Sequence, residues 1–99
     1  MKLFEIAHSR TGDKGNISTI SLIPYHEKDY DMLVDRVTSS KVEAWFKEFG
    51  VTQVDRYEIP SLPALNFVLH NMLGGGVTRS LAIDPHGKSL SSALLDMEI

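Results

Sequence analysis

A polar segment with two glycines separates two apolar, strand-like runs near the start of the chain. The segment at residues 9–16 reads Ser-Arg-Thr-Gly-Asp-Lys-Gly-Asn, and the flanking runs are residues 3–8 and 17–23. A hairpin connection needs only about two to five residues, so a connection of eight predicts a loop with a further role. Both runs carry apolar residues on both faces, which predicts two strands in a sheet that other elements cover.

The composition of this loop suits an anion. Gly12, Gly15 and Asn16 permit positive φ, which allows successive backbone N–H groups to point into one concavity. Arg10 and Lys14 add cationic donors beside it. The segment therefore predicts a phosphate or carboxylate site, and the alternative is a solvated surface loop whose glycines serve only the turn. The spacing is not that of a Walker loop.

Two apolar stripes at helical spacing follow the second predicted strand. They predict helices within residues 30–37 and 42–49, with a break or cap beginning at Thr38. Gly50 is then expected as a helix C-cap. Residues 51–59 predict a third strand.

Residues 59–83 form a second unusual region, because Arg79 is their one residue with a permanent charge. Such a segment must be buried in the monomer or covered by a partner. Ser61 as an N-cap and Gly74 as a stop signal predict a helix between them.

On that predicted helix, Asn66 and His70 lie four residues apart and point the same way. An imidazole beside an amide suits the binding of a carbonyl or the transfer of a proton. The alternative is a hydrogen-bonded structural histidine.

The rest of the chain predicts a fourth strand at 79–84, a type I turn at 84–87, a short helix at 89–95 and an extended end at 96–99. Strands and helices mixed in this order predict a two-layer α+β sandwich.

Composition bounds the function. The 99 residues, 42% of them apolar and 23% charged, predict one soluble domain spanning 1–99. A net charge of −3 argues against nucleic acid and anionic membranes as partners. There is no cysteine, and the four histidines lack metal-ligand spacing, so we expect no metal and no cofactor. With no signal peptide or membrane span apparent, we expect a cytoplasmic protein.

The segments at 9–16 and 57–70, together with 74–79 and 84–99, resemble the C-terminal domain of the acyclic terpene utilisation (AtuA) family. The resemblance implies a ferredoxin-like fold with a mixed or antiparallel sheet and helices on one face. In that family the module follows a much larger domain associated with degradation of acyclic terpenes and branched acyl-CoA compounds. The 99 residues do not include that domain, so the resemblance leads us to expect a larger AtuA-type partner subunit.

Three functions remain open. The first is an accessory subunit of a metabolic enzyme acting on acyl-CoA or other carboxylated, terpene-like substrates. The second is a non-catalytic assembly module that forms a homo-oligomer or docks a larger chain. The third, a small stand-alone enzyme with His70 as base, lacks an activating neighbour in the sequence. The candidate ligand-binding residues are Arg10, Gly12, Asp13, Lys14, Gly15, Asn16, Asn66, His70 and Arg79.

Overall fold

Four strands and two short helices make up most of the described chain. The computed structural model describes residues 1–14, 17–47, 50–70 and 93–99. In chain order these contain β1 (Ala7–Lys14), β2 (Ile17–Pro24), α1 (Tyr30–Arg36), α2 (Ser39–Trp45), β3 (Gln53–Ile59) and β4 (Ala64–His70). Single 3₁₀ turns span Leu3–Glu5 and Glu27–Asp29.

The strands form one sheet in the order β1-β2-β4-β3, and every neighbouring pair is antiparallel. Because β2 and β3 both run antiparallel to β4, they run parallel to each other with β4 between them. The helices connect them, which makes a split βαβ unit. The predicted α+β class is confirmed, and of the two sheet types expected the structure has the antiparallel one.

One face of the sheet is covered by the helices. Side chains from α1, α2, β2, β3 and β4 join a single buried cluster that also includes residues from both ends of the chain. Its largest fully buried members are Phe46, Phe67, Leu3, Ile20, Leu22, Leu33, Leu65, Leu69, Leu94 and Met97. The first stripe faces this core, with Leu33 and Val37 fully buried. Of the second stripe, Val42 and Phe46 are buried, Trp45 is 41% exposed, and Phe49 lies outside the described residues.

The boundary between the helices follows the predicted break. Thr38 is the N-cap of α2, and its Oγ1 accepts a hydrogen bond from the backbone N–H of Lys41 at 3.2 Å. The expectation that Gly50 caps the second helix is wrong, because α2 ends at Trp45 with Phe46 as its C-cap. Gly50 instead occupies a later turn with φ 89°, a conformation that favours glycine.

The predicted loop at 9–16 is wrong over most of its length. Residues 9–14 belong to β1 and pair with β2 as far as Lys14, which lies opposite Ile17. Only residues 15 and 16 remain between the strands, which is the length of a common hairpin connection. Gly12 was expected in a turn, yet it pairs with Thr19 within the ladder. A concavity of backbone N–H groups over residues 9–14 is therefore excluded, since strand N–H groups alternate in direction.

The start of β1 also differs from the expectation. The predicted strand at 3–8 begins as the 3₁₀ turn Leu3–Glu5, and the strand itself starts at Ala7. The backbone N–H of Lys2 donates to the Glu5 carboxylate at 2.8 Å, which caps this turn.

The predicted helix from Ser61 to Gly74 is wrong for residues 64–70, which form the inner strand β4. Leu65, Phe67 and Leu69 are buried, and the residues between them are half-buried. A spacing of four residues returns to the same face in a helix and in a strand, so 65 and 69 fit both periods. Burial of Phe67 on that same face distinguishes the strand.

Only parts of the predicted C-terminal elements can be placed. The predicted strand at 79–84 and turn at 84–87 lie outside the described residues, as does the start of the helix predicted at 89–95. Residues 93–95 are helical. Of the extended end predicted at 96–99, Glu98 forms an isolated antiparallel bridge with Lys2, whereas Asp96 lies in a turn and its N–H donates to the Ala93 carbonyl at 3.3 Å.

Candidate functional site

The sheet face opposite the helices, here called the open face, carries most of the polar strand residues. On β2, for example, Ile20 and Leu22 are fully buried, whereas Thr19 and Ser21, which alternate with them, are not. Since opposed residues of antiparallel strands share a face, the register defines the open face. Its members include Arg10, Gly12, Ile17, Thr19, Ser21, Gln53, Asp55, Tyr57, Asn66, Val68 and His70.

A polar row crosses all four strands of this face. Arg10 lies opposite Ser21, Ser21 opposite Asn66, and Asn66 opposite Tyr57. The Ser21 hydroxyl donates to Asn66 Oδ1 at 3.3 Å. Arg10 is exposed and has no ion pair within the part of the chain that the structure describes. The row thus ends in a guanidinium available to an external anion.

A second cluster lies at the other end of the open face. His70 Nε2 is 2.8 Å from Asp55 Oδ2, and Gln53 Nε2 donates to Asp55 Oδ1 at 2.8 Å. The hydrogen bonds from Gln53 and His70 hold the pKa of the Asp55 carboxyl below its ordinary value. The carboxylate is therefore charged at neutral pH and hydrogen-bonded on both oxygens.

Gly12 allows a close approach between the outer and inner strands. A Cβ at this position would lie 3.1 Å from Thr19 Oγ1. That hydroxyl donates to the Gly12 carbonyl at 3.3 Å, and the Ser18 hydroxyl donates to the same oxygen at 3.4 Å. The glycine therefore leaves a side-chain-free position next to Arg10 along this face.

The sheet lattice gives the separation of the two ends of this face. Arg10 and His70 are two strands apart, and their register positions differ by four residues. Strand spacing of about 4.8 Å and a rise of about 3.4 Å per residue place the two Cα atoms roughly 17 Å apart. Arg10 and His70 can therefore contact one ligand only if that ligand is extended.

The predicted site residues divide into three groups. Arg10, Gly12, Asn66 and His70 share the open face. Asp13 and Lys14 end β1 in register with Ser18 and Ile17. The remaining three, Gly15, Asn16 and Arg79, lie outside the described residues.

Sequence reasoning missed Asp55, the neighbour that was thought to be lacking for His70. It also missed Gln53 and Ser21, which hydrogen-bond to members of the site. A period-two interpretation of 64–70 would have placed His70 in a sheet beside the strand at 51–59. The alternation of that strand is obscured by Arg56, whose guanidinium turns toward the helices and donates to the Val34 carbonyl at 2.6 Å.

The comparisons with known proteins agree with this architecture. The family model described as AtuA ferredoxin-like domain matches residues 1–99. This chain belongs to that family. The AtuA ferredoxin-like domain assigned to it accounts for the whole sequence, and its ferredoxin-like α+β fold agrees with the sheet described above. No curated protein and no solved structure gives a significant match.

The described part of this AtuA ferredoxin-like domain bears on two further kinds of feature, metal sites and membrane-spanning helices. Within it, no group of three or more histidine, aspartate or glutamate side chains is arranged to hold a metal ion. Among the same residues, no helix has the length and apolar character needed to cross a membrane.

Proposed function

We propose that this AtuA ferredoxin-like domain is an accessory unit of a metabolic enzyme system, and that its open face binds the anionic group of an acyl-CoA or another carboxylated substrate. The observation that carries the proposal is the exposed Arg10 guanidinium, which lacks an ion-pair partner within the described chain. Arginine presents a planar set of donors that matches carboxylate and phosphate oxygens.

The polar row supports the same role. Ser21 donates to the carbonyl oxygen of the Asn66 side chain, so the Asn66 amide nitrogen keeps two N–H donors. These donors lie two strands from Arg10 on the same face. A carboxylate at Arg10 and a carbonyl group farther along the same ligand would both find donors.

This mode of binding differs from the loop site expected from sequence. The anion is held by side chains that project from paired strands, and not by successive backbone N–H groups of a glycine loop. The strands fix the positions of these side chains, which lowers the entropy lost on binding.

Calorimetric titration tests the proposal with acetyl-CoA, succinate and inorganic phosphate as probes. A hydrogen bond to a charged group contributes about 1.5–3 kcal/mol, so Arg10→Met should weaken binding by at least about tenfold. Arg36→Met is the matched control, because Arg36 is an exposed arginine in the last turn of α1. Its binding should equal that of wild type.

Two results contradict the proposal. One is wild-type protein that binds none of the three probes. The other is an equal loss of affinity in the Arg10 and Arg36 variants, which would indicate attraction by overall charge.

The alternative is an assembly module without a ligand, and two exposed apolar side chains on the open face favour it. Tyr57 is 53% exposed and Ile17 is 38% exposed. The uncharged segment at 59–83 gives this alternative less support than expected from sequence, since residues 64–70 are an inner strand whose apolar face is buried within the monomer. Sedimentation of wild type and Tyr57→Ser would detect a self-association that depends on this face.

A further inference from the structure

We propose that the open face also carries a proton-transfer site in which His70 is the base, Asp55 positions it, and Gln53 supplies a hydrogen-bond donor. The substrate class is an oxo acid: its carboxylate binds at Arg10 and its ketone lies at His70. This inference rests on the proposed function, because the substrate is anchored by the same Arg10.

The hydrogen bonds define which nitrogen of a neutral His70 imidazole carries the proton. Asp55 has both oxygens engaged and is charged, so a neutral His70 donates its Nε2–H to Oδ2 across 2.8 Å. Its lone pair is then on Nδ1, which has no hydrogen-bond partner in the described part of the chain. The His70 side chain is 30% exposed, which leaves it within reach of a ligand.

Asp55 does more than join two strands. Gln53 fixes its other oxygen at 2.8 Å, so the carboxylate is held from two sides and cannot rotate without losing a hydrogen bond. A carboxylate on the far side of an imidazole orients the ring and stabilises the imidazolium that forms when the base takes a proton. Within the described residues, Asp55 is the one charged group bonded to His70.

Gln53 is placed to stabilise the negative charge that develops on the substrate oxygen. It lies directly opposite His70 in the ladder between β3 and β4, so the two Cα atoms are about 4.5–5.5 Å apart. One N–H of its amide is used by Asp55, and the other remains available. A donor at that position suits the oxygen of a carbonyl compound that develops negative charge.

The proposed step transfers one proton from the substrate to His70 and back again. A C–H bond next to the ketone breaks, its proton moves to His70 Nδ1, and the electron pair forms an enolate whose oxygen accepts from Gln53. Return of a proton from the imidazolium regenerates the ketone. No oxidant, reductant or other reactant is consumed.

The distance between the two ends of the face selects the substrate. The Cα atoms of Arg10 and His70 are roughly 17 Å apart on the sheet lattice, and the two side chains shorten the gap that the ligand must span. A ketone directly beside its carboxylate is too short, whereas an oxo acid with a longer aliphatic chain fits. Val68 and Thr19 lie between the two ends on this face and offer methyl groups to such a chain.

The test measures exchange of the C–H protons next to the ketone in deuterium oxide by proton NMR, with the full chain. The probes are levulinate and homologues with more methylene groups between ketone and carboxylate. General base catalysis contributes on the order of 100-fold or more. His70→Gln should therefore lower the rate of protein-dependent exchange by at least that factor. The longer homologues should exchange faster than levulinate in wild type.

Two variants and one control separate catalysis from stability. Asp55→Asn should lower the exchange rate at saturating probe by at least about tenfold without changing probe affinity, since its role is to position and charge-pair the base. Added imidazole should restore exchange in His70→Gly. His8→Gln is the matched control, because His8 is also in the sheet and stacks on Tyr25 at 5.3 Å, outside this cluster.

The negative results of this test distinguish failure of the proton-transfer site from failure of the proposed function. Arg10-dependent binding of the oxo acids without exchange overturns the proton-transfer site and leaves the proposed function intact, as does binding of CoA esters without binding of oxo acids. Absence of all binding contradicts both. Exchange that persists in His70→Gln, or that falls equally in His8→Gln, also overturns the inference.

Discussion

The two faces of the sheet are built from alternating residues of the same strands, yet they differ in what holds them. The covered face is filled by aliphatic and aromatic side chains such as Leu65 and Phe67, which are fully buried. The open face is held by side-chain hydrogen bonds, including Ser21 to Asn66 and His70 to Asp55. Burial of apolar area dominates stability, whereas exposed polar pairs contribute little. The covered face therefore determines whether the chain folds, and the open face is available for binding and chemistry.

The sharpest test of this comparison uses adjacent residues on opposite faces. Phe67→Ala removes a fully buried ring and should lower the free energy of unfolding by about 3–5 kcal/mol. Val68→Ala, on the open face, should cost only about 1 kcal/mol. Urea denaturation of both variants gives the two values. Similar losses at 67 and 68 would mean that both faces are packed.

A polar residue on the covered side should behave unlike those on the open face. Arg56 donates from Nη1 to the Val34 and Val37 carbonyls at 2.6 and 3.2 Å, which satisfies acceptors near the end of α1. Arg56→Met should therefore cost about 1.5–3 kcal/mol in unfolding free energy. Arg36→Met, an exposed control, should change it by about 0.5 kcal/mol or less. Equal effects of the two substitutions would show that the carbonyls are solvated.

Gly12 tests whether close strand approach matters on the open face. Alanine in a strand is favoured over glycine by about 0.5–1 kcal/mol, but its Cβ would lie 3.1 Å from Thr19 Oγ1. We expect these effects to offset each other in wild type, leaving a net change below about 1 kcal/mol. With Thr19→Ala already present, Gly12→Ala should stabilise the protein. A double-mutant cycle measures this, and identical effects in both backgrounds would exclude the contact.

The smallest effect is expected from pH. Hydrogen bonds from Gln53 and His70 lower the pKa of Asp55 in the folded protein below its ordinary value of 3.8. The stability that Asp55 provides is therefore fully present above that ordinary value and is lost as the pH falls through the lowered folded value. The difference in urea midpoint between wild type and Asp55→Asn should therefore shrink as the pH is lowered below 3.8. A difference that grows as the pH is lowered below 3.8 would contradict the hydrogen-bonded carboxylate.

Much of the fold could be predicted from sequence because its signals are local. The stripes of α1 and α2, the Thr38 cap and the run of β2 depend on residues near one another in the chain. Whether residues 64–70 form a helix or the strand β4 does not depend on local signals alone. Its residues 65 and 69 satisfy the helical and the strand period alike, and only pairing with β2 and β3 on both sides decides between them.

The site was predictable only in part, for the same reason. Arg10, Asn66 and His70 stand out as residue types, and their common face follows once β4 is a strand. Asp55 carries no such signal, since an acidic residue in a half-exposed strand is ordinary. Its meaning comes from a cross-strand hydrogen bond to a residue fifteen positions away, and register of this kind is set by the assembled sheet.

The placement of β4 between β2 and β3 has a consequence for the order of assembly. The β1–β2 hairpin can form early because its pairing is local. Strand β4 must instead pair with β2 across a separation of more than forty residues, as in the pairing of Ser21 with Asn66. We expect amide hydrogen exchange to detect openings in which β4 leaves while the first hairpin persists. In every such opening His70 separates from Arg10. A change that weakens the pairing of β4 with its neighbours should therefore also weaken ligand binding.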